Sequence, residues 1–129
     1  MNPQISNVTL GVRDIERSKR FYGEGLGCPI EQDRGGIFVS FNLGSSSSGL
    51  SLYNWDALAA DAGVDSNGSG FRGVTLNYIV GSAEQVDEVM QKAESAGATI
   101  VKPAEKAQWG GYSGHFSDPD GYLWKVASA

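Results

Sequence analysis

The chain is short of several things that most function classes need. It has one cysteine, Cys28, in 129 residues. That excludes an internal disulfide framework and suits a reducing cytosol. It has one histidine, His115, and no nucleophile-elbow motif, so no Ser/His/Asp triad can be argued. Ten Lys and Arg stand against fifteen Asp and Glu, a net charge of −5 with no basic cluster, which argues against a nucleic-acid partner. No apolar run approaches the roughly 18 residues of a membrane span, and the opening MNPQISN does not read as a signal peptide. Segment 23–27 (GEGLG) follows a helix pattern instead of opening a phosphate-binding helix, so it is no dinucleotide fingerprint. Asp118-Pro119-Asp120-Gly121 has Ala129 where a calcium loop needs Glu. What remains is an ordinary globular composition, 40% hydrophobic, with eighteen glycines that mark tight turns.

The pattern is a repeat. Residues 8–12 alternate as a strand. Asp14 can cap a helix whose apolar side is Ile15, Phe21, Tyr22 and Leu26, and Gly27 ends it. Strands follow at 29–32, 37–43 and 50–54. Asp56 can cap a short Ala-rich helix, and 66–70 (SNGSG) has linker composition. The series then restarts. Residues 74–80 read as a strand. Ser82-Ala83-Glu84-Gln85 is a capping box. Val86, Val89, Met90 and Ala93 make a helical stripe that Gly97 closes. A strand at 98–102 should stop at Pro103. Strands 112–117 and 122–126 close the chain as a hairpin around the Asp118–Gly121 turn. Val8 and Val74 are 66 apart, and Gly27 and Gly97 are 70 apart. The expectation is an α+β fold of two βαβββ modules within one domain, 1–129, with module one at about 4–55, a linker at 56–71 and module two at 72–127.

Residues 8–27 (VTLGVRDIERSKRFYGEGLG) and 114–126 (GHFSDPDGYLWKV) resemble the two signature ends of the vicinal oxygen chelate superfamily, which includes glyoxalase I, bleomycin- and fosfomycin-resistance proteins and extradiol dioxygenases. The resemblance covers nearly the whole chain. It implies curled mixed sheets with helices on the outer face and a ligand in a cup-shaped cavity, often completed by a second subunit, hence a homodimer. Metal-using members place four ligands in that cup. The corresponding positions here are Asn7, Leu50, Thr75 and Lys125. A divalent ion needs imidazole, carboxylate or thiolate, so the resemblance implies no metal and no cofactor.

The resemblance assigns the ligand-facing lining to Asn7, Thr9, Leu50, Leu52, Thr75, Asn77 and Ser113, with Trp109 beside Gly110 and Gly111 as a movable wall. His115 and Lys125 are the catalytic candidates. Strand alternation puts Ser113, His115 and Ser117 on one face, and Lys125 opposite Trp124 and Val126. The expected function is metal-free binding of a small organic molecule in the cytoplasm. The alternative is a lyase, isomerase or dioxygenase of the same superfamily. It would use a metal at an unrecognised site or acid–base chemistry by His115 and Lys125.

Overall fold

A computed structural model describes residues 4–62, 64–68, 70–72, 74–107 and 110–129. The chain forms two compact units, Met1–Gly68 and Ser69–Ala129. Each carries one four-stranded mixed sheet, so the fold is α+β.

In the first unit, β1 (Asn7–Val12) leads into helix α1 (Ile15–Lys19) and a π-helical turn (Arg20–Gly25). Then come β2 (Ile30–Asp33), β3 (Phe38–Phe41), β4 (Gly49–Asn54) and helix α2 (Trp55–Ala62). The sheet order is β1-β4-β3-β2, with β1 parallel to β4 and the rest antiparallel. The Asp14 side chain accepts from Arg17 N at 3.1 Å and starts α1, as expected. The helix then widens: Leu26 N donates to Phe21 O, five residues back. This turn buries both Phe21 and Tyr22, whose rings meet edge to face at 4.9 Å. Asn54 caps α2 by accepting from Ala57 N, the role expected of Asp56; Asp56 instead accepts from Ser66 Oγ at 2.7 Å.

The second unit repeats the plan. Its elements are β5 (Thr75–Ile79), α3 (Ala83–Ser95), β6 (Thr99–Lys106), β7 (Tyr112–Ser117) and β8 (Leu123–Ser128), in sheet order β5-β8-β7-β6. The Ser82 half of the capping box forms, with Gln85 N donating to Ser82 Oγ at 3.2 Å, while Gln85 Oε1 reaches one residue further back and accepts from Gly81 N. Gly27 and Gly97 hold φ of 81° and 112° just past their helices, a conformation that a Cβ would strain. Strand β6 does not stop at Pro103. It is an edge strand, where a missing N–H costs no ladder bond, and it absorbs the proline with register shifts between Ile100 and Glu105.

Among the described residues no helix is long and apolar enough to cross a membrane.

Candidate functional site

The helix side of the second sheet fixes the rest. Val86, Met90 and Ala93 of α3 are buried. A Cβ built on Gly114 would lie 2.9 Å from Met90 Cε and 3.0 Å from Ala104 N, so Gly114 faces the helix at close approach. Its register partner Val126 is fully buried. Phe116 and its partner Trp124 stack on this side, with ring centres 6.1 Å apart and planes nearly parallel. Alternation then turns His115 and Lys125 to the opposite, open face.

The turn between β7 and β8 sets their register. Asp118 is buried, and its Oδ1 accepts from Asp120 N and Tyr122 N, both at 2.9 Å. His115 therefore sits directly across from Lys125. On its other side it is paired with Lys102 of β6, and Lys125 is paired in turn with Asn77 of β5. One row, Asn77, Lys125, His115, Lys102, crosses all four strands. Thr75 and Ser113 share the face in the neighbouring rows.

Burial, then Lys125 and then Lys102, lower the His115 pKa from its ordinary value, so the imidazole is neutral near pH 7. His115 Nδ1 is enclosed, and among the described residues it has no hydrogen-bond partner. Lys102 meets Glu105 at 3.7 Å, but both side chains are more than 60% exposed, and such a pair holds weakly. The row can therefore accept negative charge and offer hydrogen-bond donors.

The first sheet carries a different polar group on its open face. Ser51 Oγ donates to Asn7 Oδ1 at 3.2 Å, and Asn7 Nδ2 donates to Thr9 Oγ1 at 2.9 Å. Register explains it, because Thr9 pairs with Ser51. The same register corrects the expected lining. Leu50 and Leu52 pair with Val8 and Leu10 on one side and Phe41 and Val39 on the other. They are 3% and 0% exposed, in the apolar layer with Tyr22 and Phe41, and cannot share a face with Thr9. Ser51 occupies the place expected of them. The signal was present as a polar residue between two leucines, but its partner strand lies more than forty residues away. Lys102 was also missed, because the bulge before it breaks the simple alternation from Ile100. Trp109 lies outside the described residues.

The metal positions fare no better as a set. Leu50 is core, the Asn7 amide is engaged with Ser51 and Thr9, Thr75 offers a hydroxyl, and Lys125 offers an ammonium group with a second lysine, Lys102, in its own row. These groups do not fit a divalent ion. Among the described residues no three His, Cys, Asp or Glu side chains gather.

No curated protein matches the chain. Among solved structures, a glyoxalase-related enzyme from Fulvimarina pelagi is 30% identical, with a TM-score of 0.84 over 98% of this chain and 88% of that one. A glyoxalase/bleomycin resistance protein/dioxygenase family enzyme from Burkholderia phytofirmans PsJN is 24% identical, at 0.81 over 98% of each chain. Lactoylglutathione lyase from Agrobacterium tumefaciens is 20% identical, at 0.74 over 99% and 95%. The last two show the fold alone. A family model matches residues 4–126, the stretch that holds both copies of the strand, helix and three-strand plan, and on that evidence the chain belongs to the Glyoxalase/Bleomycin resistance protein/Dioxygenase superfamily.

Proposed function

We propose that this protein binds a small organic anion on the open face of its second sheet, without a divalent metal of its own. The observation that carries the reading is the neutral imidazole of His115 flanked in register by Lys125 and Lys102. Lysine ammonium groups give charge-assisted bonds to a carboxylate or phosphate, and a half-buried site strengthens them. Asn77 ends the row, Thr75 and Ser113 border it, and all three supply polar contacts. A thermal-shift screen of organic anions tests it, because binding to the native state raises apparent stability. The expected result is a rise in melting temperature with some anions that Lys125→Met abolishes. Metal analysis of untagged protein should find far less than one zinc, nickel, iron or manganese per chain.

The same neutral imidazole supports a second reading, an enzyme in which His115 takes a proton and Lys125 steadies the developing charge. The glyoxalase-related enzyme from Fulvimarina pelagi lends it weight. Turnover of the methylglyoxal–glutathione adduct, lost in His115→Gln, would favour it.

The proposed assembly is a homodimer in the cytoplasm. Strand β5 supports it: an edge strand with Tyr78 and Ile79 exposed is a surface that a second copy can cover. Sedimentation of the full chain tests it.

A further inference from the structure

A neutral imidazole has one N–H and one bare nitrogen. Among the described residues, the enclosed His115 Nδ1 has no hydrogen-bond partner. A buried N–H without an acceptor is rarer than an acceptor with an unused lone pair. The proton therefore belongs on Nε2. With Nδ1 enclosed, Nε2 is also the nitrogen that the half-buried ring can offer to a ligand. The row then reads ammonium, N–H, ammonium across three neighbouring strands, from Lys125 through His115 to Lys102. All three are donors. Neighbouring strands are about 4.8 Å apart, so the two lysine stems rise about 10 Å from each other with the imidazole midway.

We infer that this row recognises a small dicarboxylate, with one carboxylate at each lysine and an acceptor oxygen between them at His115 Nε2. The inference rests on the anion-binding reading and names its ligand class. A monocarboxylate satisfies one lysine only. At Lys102 a second carboxylate replaces Glu105, and that exposed pair is worth little. Each lysine carries its charge on a flexible four-carbon stem, so the two heads can close on a five-carbon chain.

Calorimetric titration of the full chain near neutral pH with butyrate, glutarate and 2-oxoglutarate tests this. Glutarate should bind at least about tenfold tighter than butyrate, the gain of one charge-assisted bond, and 2-oxoglutarate tighter still. Lys102→Met, which keeps the stem, should erase the preference for glutarate. Nitrogen-resolved NMR of the single histidine should place its ring proton on Nε2. Equal affinity for butyrate and glutarate, or a preference unchanged in Lys102→Met, overturns the dicarboxylate inference and leaves anion binding standing. A ring proton on Nδ1 overturns the role given to His115. Failure of all three acids to bind overturns the inference, and overturns the anion-binding reading as well only if no anion of the wider screen shifts the melting temperature.

Discussion

The two modules share a strand order and differ in what their two faces carry. On the helix side they are alike in kind. Module one buries Tyr22, Val39, Phe41 and Leu52, and module two buries Val86, Met90, Phe116 and Val126. On the open side they part. Module one shows a chain of neutral groups, Ser51 to Asn7 to Thr9, and module two shows a row with two cations and an imidazole. Burial restricts the helix face to apolar residues, since each is worth about 1.5–3 kcal/mol inside. The open face admits polar groups where they are hydrogen-bonded, as buried Ser51 is to Asn7, so a repeated fold keeps its core in kind and varies its chemistry. The helices differ too. Module one needs a widened turn to seat two adjacent aromatics, whereas α3 holds Val86, Met90 and Ala93 at regular helical spacing.

The sharpest way to break this comparison is to strike both cores. Phe41→Ala and Phe116→Ala are a matched pair, each ring about 1% exposed. Each should cost about 3–5 kcal/mol in urea unfolding, through lost transfer and a cavity. A loss below about 1 kcal/mol in either would mean that the two helix faces are not equivalent cores.

The open faces should respond to different measurements. Lys125→Met should weaken an anionic ligand by about 1–3 kcal/mol with the fold intact, since it removes a charge and keeps the stem. Ser51→Ala should show up in stability instead, by about 0.5–1.5 kcal/mol, because it deprives Asn7 Oδ1 of its buried donor. If Ser51→Ala lowers affinity as much as Lys125→Met does, the contrast drawn between the faces fails.

The helix caps are the closest parallel between the modules, and Asp14→Ala and Ser82→Ala should each cost about 1 kcal/mol. Ser82 should be the dearer of the two, because Gln85 also reaches back to Gly81 in module two. Denaturation midpoints with an unchanged m-value would establish the order.

The smallest effect is the dependence on pH. His115 faces Lys125 and Lys102 in its row, with Glu105 beside them, and its pKa is lowered on folding. Above the unfolded value of about 6.5 the ring is neutral in both states and contributes no slope. As pH falls below that, the unfolded chain takes up a proton that the native one resists, so stability declines. Denaturation across this window should show a decline that His115→Gln removes. Module one has no histidine and should add nothing there.

Within a strand or a turn, the sequence was enough. The alternation of 112–117 and 122–126 put His115 and Lys125 opposite Trp124 and Val126, and the structure has them so. Asp14, Ser82, Gly27 and Gly97 mark the helix ends because capping acts over three or four residues. The repeat was legible in the spacing of those marks. What spans strands was decided only in three dimensions. Leu50 and Leu52 were expected beside Thr9, and the parallel register of β1 on β4 put Ser51 there instead. Pro103 was expected to end a strand that continues past it, because only the sheet order makes β6 an edge. Lys102 reached His115 through a bulge that no period-two pattern contains. A strand's own residues decide which side chains lie together on one face. Which partner strand meets them, and at what offset, is set by packing distant segments, where a slip of one residue exchanges every face.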